Sequence, residues 1–418
     1  MKKIWLCLAL LSGCNAAPER TLASALPAAT PAPSASAPAP KAPESGGIGS
    51  RVFVVERETE SLGVYDLSSR TYGAKRIEGL GNMRHATMTF SPDLRYGYVA
   101  TRSGKLSRID LATVTRERDV EVSKNSIDIA ISQDGRYVAT AEYQPGGLTV
   151  LDAETLDVVK RLPADGEKGG KPLQSRVTGV VDAPGNRFVC VLIEGAEIWV
   201  VDVSGKEPRI ERRVKTSTDE PYDAMITPDG RYYVVGHMGS EHVSVLDLEK
   251  PDSGVKEVSL RDPAKKFDKG APVKLPHMAS WAVAGDRVFV PLVGEPRMVV
   301  LNRKTWAFEK SVPVRGHPVY SVAAPTGKEI WVSFSGEKDD AFLQVIDVET
   351  LAIKRSIEVG GRVYHLDFTP RGSHVLVSAN RDNKLVLVDA NSYAIVDEEN
   401  VHSPSGVFGV WRAFRIGL

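Results

Sequence analysis

Cysteine is scarce in this chain of 418 residues, which contains only three. Cys7 and Cys14 lie in the N-terminal leader, so Cys190 is the only cysteine in the part that we expect to fold. A disulfide framework is therefore excluded, and Cys190 is expected to pack in an apolar strand. The sequence Cys-x-x-Cys-His is missing, which excludes an attached c-type haem and the electron route that it would provide.

Three other signals are missing. The 53 basic and 53 acidic side chains balance, so no net field favours nucleic acid or an anionic membrane surface. No glycine-rich strand-to-helix motif is present, which argues against a tightly bound nicotinamide. No stretch after residue 50 sustains a long amphipathic helical period, so we expect few helices.

What the chain does contain is a repeat. Each unit has an apolar run, a turn rich in Pro, Asp and Gly, a second apolar run, a polar loop and a third run that ends in an acid. The closing acids, with one amide variant, recur at intervals of 42 to 55 residues, at Asp66, Asp110, Asp152, Asp202, Asp247, Asn302, Asp347 and Asp389. A period of this length is typical of a four-stranded propeller blade. Eight markers therefore predict an all-β, eight-bladed propeller.

The two ends of the repeat region are complementary. The first unit begins directly at Val52 and lacks an inner strand, whereas an extra strand, 405–412, follows the last unit. We expect the C-terminal strand to complete the first blade. Such pairing closes the ring and removes open strand edges, which would otherwise favour aggregation.

The N-terminus predicts export. Lys2 and Lys3 precede a short apolar run that ends in Leu-Ser-Gly-Cys at Cys14. This segment resembles a bacterial lipobox, so we interpret 1–14 as a lipoprotein signal peptide, with lipidation of Cys14; the alternative is an ordinary signal with a chance cysteine. Residues 15–50 are rich in Pro, Ala and Ser and predict an extended tether, and residues 51–418 form the propeller. The predicted location is periplasmic, with a lipid anchor in the membrane.

Chemistry-bearing residues recur at equivalent places in the repeats. In a propeller, the loops that lead into the inner strands share one rim with the hairpins after the middle strands. Four of the eight histidines fall at the starts of inner strands, at His85, His277, His317 and His365. Several arginines fall on the same rim, at Arg57, Arg84, Arg102, Arg176 and Arg381. Arginine forks bind carboxylates and neutral imidazole ligates iron, so this pattern favours a polyanionic ligand or macrocycle on the axis.

Several segments resemble the NirF-type haem d1 biosynthesis proteins. The resemblance is carried by 54–58, 79–85, 98–105 and 403–408, and it extends from residue 51 to residue 418. It extends more distantly to the eight-bladed d1-haem domain of cytochrome cd1 nitrite reductase. It implies a periplasmic protein of denitrification that binds haem d1 or dihydro-haem d1 on the propeller axis.

The resemblance also implies roles for individual residues. His85 corresponds to the histidine that ligates the haem iron in the reductase; otherwise it is a polar residue bonded to a nearby carbonyl. Arg57 and Arg102 correspond to arginines near the macrocycle's carboxylates, or else form surface ion pairs. His277 is similar to a distal-side histidine, and Tyr222 fills the other distal position, where it either packs or donates a hydrogen bond. Because that distal pair is incomplete, we do not expect nitrite reduction.

Three functional hypotheses remain open. In the preferred one, the protein is an oxidoreductase that dehydrogenates a ring propionate of dihydro-haem d1 to an acrylate, with His277 or Tyr222 taking the proton. The electron acceptor is not evident from the sequence. The second is a non-catalytic carrier that delivers haem d1 to cytochrome cd1 nitrite reductase or to a related d1-binding cytochrome. The third is a propeller that binds only other proteins, because fold does not settle function.

Overall fold

The structure is a computed structural model that describes residues 46–216, 220–238, 240–264 and 281–417. The predicted signal peptide with Cys14, nearly all of the predicted tether and the predicted site residue His277 lie outside these ranges. Helix is limited there to three short 3₁₀ segments, Ile48–Ser50, Pro251–Ser253 and Val410–Phe414. None of the described helices is long and apolar enough to span a bilayer.

The strands form eight four-stranded antiparallel sheets, the blades of a propeller, which confirms the predicted fold. Blade 1 comprises β1 (Arg51–Glu56), β2 (Ser61–Asp66), β3 (Thr71–Ile77) and the C-terminal strand β34 (Pro404–Gly409). Blade 2 comprises β4 (Thr87–Phe90), β5 (Tyr96–Ala100), β6 (Lys105–Asp110) and β7 (Thr115–Glu121). Blade 3 comprises β8 (Asn125–Ile131), β9 (Tyr137–Gln144), β10 (Gly147–Asp152) and β11 (Val158–Pro163), followed by a hairpin of β12 (Asp165–Lys168) and β13 (Lys171–Gln174).

The remaining blades follow the same order, from the axis outwards. Blade 4 comprises β14 (Val177–Ala183), β15 (Arg187–Leu192), β16 (Glu197–Asp202) and β17 (Arg209–Lys215). Blade 5 comprises β18 (Pro221–Ile226), β19 (Tyr232–His237), β20 (His242–Asp247) and β21 (Val255–Ser259). Blade 6 comprises β22 (Ala282–Ala284), β23 (Arg287–Leu292), β24 (Arg297–Asn302) and β25 (Phe308–Pro313). Blade 7 comprises β26 (His317–Ala323), β27 (Glu329–Ser335), β28 (Phe342–Asp347) and β29 (Ile353–Glu358). Blade 8 comprises β30 (Val363–Phe368), β31 (His374–Ala379), β32 (Lys384–Asp389) and β33 (Ile395–Asn400).

The C-terminal strand closes the ring. β34 pairs antiparallel with β1, with Val52 opposite Gly409, Phe53 opposite Phe408 and Val54 opposite Val407. It is therefore the inner strand of blade 1, and it contacts the inner strands β30 and β4 on either side. Pairing of the two chain ends removes the free edge that β1 would otherwise present.

The acid that ends the third strand of each blade stabilises the turn into the fourth. The Asp152 carboxylate accepts hydrogen bonds from the backbone N–H groups of Glu154 (2.9 Å) and Thr155 (2.8 Å). Leu156 then adopts a left-handed conformation (φ 56°) and donates its N–H to the Asp152 carbonyl. The same turn follows Asp347, where the backbone N–H of Thr350 holds the pKa of the carboxyl below its usual range. The short side chain of Asp or Asn can accept hydrogen bonds from the backbone N–H groups two and three residues later, which explains why an acid or amide recurs at this position.

The core lies between blades. The two middle strands of each blade are almost entirely buried, whereas outer strands such as β7 are exposed. Trp199 and Trp331 are fully buried, and Cys190 packs with Phe188 and Trp199 in the cluster between blades 3 and 4. Each fully buried large apolar side chain contributes about 1.5–3 kcal/mol of transfer free energy, so stacking of blades supplies the main stabilisation.

Candidate functional site

One rim of the propeller is built from the loops that lead into the inner strands and from the hairpins after the middle strands. The backbone N–H of Arg57 donates to the Ser403 carbonyl (3.1 Å), and that of Arg102 donates to the Asn82 carbonyl (3.0 Å). Equivalent bonds link Ile193 to Arg176 and Asn380 to Arg362. The two kinds of loop are thus tied together blade by blade, and their residues share this rim.

The inner strands are irregular where they approach the rim. In β8, β14, β18, β26 and β30, the ladder with the next strand skips one or two residues, which is a β-bulge. A bulge turns side chains out of the regular alternation. Skipped residues that line the axial cavity are Ile127, Val180, Tyr222, Asp223, Val319, Tyr364 and His365. The bulges therefore supply much of the cavity wall.

The bulge in β14 depends on a glycine. Gly179 has φ of 64°, and a Cβ at this position would lie 2.9 Å from the Ala224 Cβ and from the Tyr233 hydroxyl. Its carbonyl accepts a hydrogen bond from the Tyr233 hydroxyl (2.6 Å), and its N–H donates to Asp128 (2.7 Å). Glycine is required here for both its conformation and its lack of a side chain.

The axial cavity has a volume of about 340 Å³. Arg57, His85 and Tyr364 line it at the rim, and Arg412 and Gly417 line it at the other end. β34 runs from the rim to the opposite face, so the segment that follows it reaches the inner end of the cavity. We call the two ends the mouth and the inner end. A second cavity of about 520 Å³ on the opposite face shares Arg412 and Gly417 with the first.

His85 lies at the mouth, in the turn before β4. Its backbone is left-handed (φ 55°), an uncommon conformation for a residue with a side chain. The pKa of His85 is lowered, mainly by burial and then by the positive charges of Arg102, Arg57 and Arg84. The imidazole is therefore neutral at pH 7, which is the form that ligates a metal.

Two of the mouth arginines stack on aromatic rings. The Arg57 guanidinium lies 4.7 Å from the centre of the Tyr364 ring, and the Arg57 Nε is buried with no hydrogen-bond partner among the described residues. The Arg102 guanidinium lies 4.8 Å from the centre of the Tyr143 ring. Stacking on a ring face leaves guanidinium N–H groups directed sideways, where they can bind a carboxylate.

The other predicted arginines have different surroundings. Arg176 donates from Nε to the Glu194 carboxylate (2.5 Å), and Arg381 makes two hydrogen bonds to Asp340 (2.9 and 2.6 Å). Arg176 also stacks on the Tyr143 ring, with its guanidinium 5.4 Å from the ring centre. Of the five predicted arginines, all of which lie in the described ranges, Arg57 alone is among the residues that line the axial cavity, and Arg84 is exposed beside His85. Ligand binding by Arg176 or Arg381 remains a prediction, and it would require the ion pair to open.

The cavity wall contains ionisable groups with shifted pKa values. Tyr222 lines the cavity, and its pKa is raised by burial and by the charge of Asp223, so its hydroxyl stays protonated and is a donor. Asp128 is only 4% exposed, and burial raises its pKa to about 6 although Thr178 and Gly179 donate to it. Asp128 is therefore ionised at pH 7 and protonated at pH 5. Asp128 is thus a better proton acceptor than the Tyr222 hydroxyl.

The remaining rim histidines have protein partners. The Nδ1 of His317 contacts the Val293 carbonyl at 3.0 Å, outside the axial cavity. His365 is 7% exposed and lies between the Val407 backbone N–H and the Tyr320 hydroxyl. His277 lies in the part of the chain that the structure does not describe, so its predicted distal role stays a prediction.

Sequence reasoning missed four residues of the wall: Asp128, Tyr320, His365 as a buried group, and Arg412. One available signal was an acid or histidine inside an otherwise apolar inner strand, as in β8 and β30. Such groups are rarely buried unless they have a partner or a function. No sequence signal placed Arg412, because it follows the last repeat.

Comparisons with known proteins agree with this geometry. The family model described as Cytochrome D1 heme domain matches residues 49–413. Protein NirF of Stutzerimonas stutzeri is 39% identical over 374 residues, which cover 89% of this chain and 94% of that protein. Protein NirF of Pseudomonas aeruginosa is 39% identical over 377 residues, covering 90% and 95%.

Two further relatives are dehydrogenases. The dihydro-heme d1 dehydrogenase of Pseudomonas aeruginosa is 30% identical over 336 residues, which cover 78% of this chain and 64% of that protein. The solved structure of dihydro-heme d1 dehydrogenase NirN in complex with DHE superposes with a TM-score of 0.76 at 25% identity, covering 90% of this chain and 78% of that one.

Proposed function

Because the chain belongs to the cytochrome d1 haem domain family, as a NirF-type member, we propose that it binds haem d1 or dihydro-haem d1 in the axial cavity as part of haem d1 formation. The observation that carries this proposal is the mouth itself. A neutral imidazole, His85, is surrounded by the guanidinium groups of Arg57, Arg84 and Arg102.

The mouth fits an iron tetrapyrrole with several carboxylates. Neutral imidazole is a common axial ligand of haem iron, and a cationic rim stabilises carboxylates. The stacked Arg57 has a buried Nε without an acceptor in the described structure, and a ligand carboxylate would satisfy it. Tyr222 adds a hydroxyl donor from the wall.

Spectroscopic titration tests this proposal. Purified protein is titrated with haem d1, and the visible spectrum is compared for wild type, His85→Ala and His317→Ala. We expect the wild-type spectral shift to be lost in His85→Ala and kept in His317→Ala, because His317 is on the same rim but outside the cavity. No binding by wild type, or an unchanged shift in His85→Ala, would refute the proposal.

Within this function, dehydrogenation of a ring propionate to an acrylate is the first candidate activity. Two protons and two electrons leave the substrate, so an acceptor must take the electrons; a one-electron carrier of the cytochrome type, reduced twice, is the class that we propose. The observation that favours this activity is Asp128, an ionised, buried carboxylate in the cavity wall. In this proposal Asp128 accepts one of the two protons, the other is released to solvent water at the mouth, and Tyr222 donates a hydrogen bond to the carboxylate of the reacting propionate.

Carriage of haem d1 is the second candidate. It is favoured because the chain has no Cys-x-x-Cys-His and is 39% identical to the NirF protein of Stutzerimonas stutzeri but 30% identical to the Pseudomonas aeruginosa dehydrogenase. In this role the bound haem d1 passes to a cytochrome cd1 nitrite reductase or to a related d1-binding cytochrome.

A single-turnover experiment separates the two activities. The protein is loaded with dihydro-haem d1 without oxygen and is then mixed with an oxidised c-type cytochrome. Conversion of the bound group to haem d1 in wild type, slowed at least 10-fold in Asp128→Asn with unchanged affinity, supports dehydrogenation. Tight binding with no conversion by several cytochromes favours carriage.

We also propose that the protein is exported to the periplasm and anchored through lipidated Cys14. The basis is the sequence pattern around Cys14, which lies outside the described residues. In cells fed labelled palmitate, wild type should carry label and sediment with membranes, whereas Cys14→Ser should be unlabelled. An unlabelled wild-type protein would contradict the anchor.

A further inference from the structure

The inner end of the axial cavity is formed by residues that follow the last blade. After β34, the 3₁₀ segment Val410–Phe414 turns beneath the cavity, and the Gly417 N–H donates to the Asp182 carboxylate (2.7 Å). Arg412 projects from this segment and lines both axial cavities, although only 6% of it is exposed. The C-terminal segment thus places a cation deep inside the ring.

Arg412 has unused donors. Its guanidinium lies 5.1 Å from the centre of the Phe408 ring, and its Nε and Nη1 are buried without an acceptor in the described part of the chain. A buried charged donor without an acceptor is costly, commonly by several kcal/mol. Buried guanidinium groups are therefore usually found opposite a carboxylate or phosphate.

A second donor group faces the same place. The Val407 backbone N–H donates to His365 Nδ1 (2.7 Å), so Nδ1 must be an acceptor and the proton of the neutral ring is on Nε2. Nε2 then donates to the Tyr320 hydroxyl oxygen (2.6 Å). The hydroxyl proton of Tyr320 is consequently directed elsewhere, and Tyr320 lines both cavities.

The carboxylates nearby are engaged with other groups. Asp367 lies 3.5 Å from Arg415, with which it forms an ion pair, so one carboxylate faces two guanidinium groups. Burial raises the pKa of Asp367, which weakens its ability to compensate both. His365 adds no negative charge. Asp182 also lines the cavity, and its carboxylate accepts from the Gly417 N–H. The formal charges of the inner end therefore balance, yet the Arg412 Nε and Nη1 have no acceptor at hydrogen-bond distance among the described residues.

We infer that the inner end is a carboxylate subsite, in which Arg412 and the Tyr320 hydroxyl bind one carboxylate of the macrocycle whose iron is held at the mouth. His365 is a positioning residue that fixes the direction of the Tyr320 proton. The inference rests on the proposed function, since it assigns the depth and orientation of the bound tetrapyrrole. His85 and Arg412 line the same cavity, so the two ends are continuous.

The test compares haem d1 with its fully methyl-esterified form. Arg412→Gln should lower the affinity for haem d1 about 10- to 100-fold, and Tyr320→Phe about 2- to 10-fold, with the spectral signature of His85 ligation retained. The ester should bind wild type and both variants equally. Arg315→Gln is the matched control, because Arg315 is bonded to Asp339 outside the cavity.

Each contrary result has a distinct meaning. If wild type does not bind haem d1, the proposed function fails and the subsite fails with it. If wild type binds haem d1 and both variants bind it with the same affinity, only the subsite is refuted. If Arg412→Gln does not fold, the affinity of Tyr320→Phe decides whether the subsite exists. If acetate raises the unfolding temperature of wild type but not of Arg412→Gln, while haem d1 affinity is unaffected, the subsite holds a free anion and the macrocycle assignment is wrong.

Discussion

The mouth and the inner end of the axial cavity each present a guanidinium group with N–H donors that have no partner among the described residues, but they are built in different ways. At the mouth, His85, Arg57 and Arg102 come from loops that recur in every blade, so each blade can offer a variant of the same position. At the inner end, Arg412 comes from a single segment that has no counterpart in the repeat. Their surroundings differ as well. The His85 side chain reaches solvent at the mouth, although the protein around it is dense enough to lower its pKa, whereas Arg412 is almost fully buried.

The mouth and the inner end differ in how closely ligand binding is linked to folding. Repeated loops provide variety at low cost to stability, because they lie on the surface. The inner end is tied to ring closure, since β34 and the segment after it complete blade 1 and carry Arg412. Changes at the mouth should therefore affect binding with little effect on folding, whereas changes at the C-terminus should affect both.

The largest effect is expected from removing the C-terminal segment. A chain ending at Val401 loses β34, exposes the edge of β1 and leaves Val52, Phe53 and Val54 without their partners. We expect loss of cooperative unfolding and aggregation of the product. The measurement is thermal unfolding followed by circular dichroism. A truncated chain with the same unfolding temperature as wild type would show that the fold does not depend on ring closure by β34.

The next largest effect concerns two arginines on the rim. Arg57→Ala should weaken haem d1 binding about 10- to 100-fold and leave the unfolding temperature nearly unchanged, because Arg57 has an unsatisfied Nε at the cavity. Arg315→Gln should leave binding within about twofold and change stability by about 1 kcal/mol or less, since its partner is Asp339. Equal effects of the two changes on affinity would contradict the distinction.

The third prediction is a pH effect on stability. The pKa of Asp128 in the folded protein is raised to about 6, so its contribution to stability is present below pH 4 and is lost as pH rises through 6. Wild type should therefore lose up to about 3 kcal/mol between pH 4 and pH 8 from this group, and Asp128→Asn should not. Denaturant titrations at a series of pH values measure the difference. Parallel curves for the two proteins would refute it.

A related pH effect is expected at His85. Its pKa is held below 6.5 by burial and by the neighbouring arginines, so haem d1 binding should persist as pH falls through 6.5. Removing one of the positive charges, as in Arg57→Ala, should raise the pH at which binding is lost. Titrations from pH 8 to pH 5 show the shift, and a shift to lower pH would be the opposite of what the geometry requires.

The smallest effect is expected far from both ends of the cavity. Asp347→Ala removes the acceptor for two backbone N–H groups in one blade turn. We expect a loss of about 0.5–1.5 kcal/mol in the free energy of unfolding and no change in affinity for haem d1. Asp347→Asn is the control, because Asn302 occupies the equivalent position naturally. A change in affinity would indicate that the blades do not act independently of the cavity.

The sequence allowed the fold and the mouth to be predicted, for a physical reason. Each closing acid or amide accepts a backbone N–H at the start of the turn that follows it, so these residues mark the end of the third strand in every blade and allow the blades to be counted. The register of the repeat brought Arg57, His85 and Arg102 to one rim. It did not show that Glu194 and Asp340 bind Arg176 and Arg381, because those acids lie in loops whose conformations are not repeated.

The wall and the inner end were missed for a different reason. The bulges in the inner strands shift residues such as Tyr364 and His365 out of the alternation that the sequence pattern assumes. Asp128 was passed over because an acid within an apolar strand carries no motif. Arg412 depends on how the chain turns after β34, which no local pattern specifies.

The most direct test of the central claim is a crystal structure of the protein with bound haem d1. The account predicts iron bonded to His85 at the mouth, with one carboxylate of the macrocycle at Arg57 and another beside Arg412 and Tyr320. A macrocycle bound outside the axial cavity, or with its iron turned away from His85, would contradict the account.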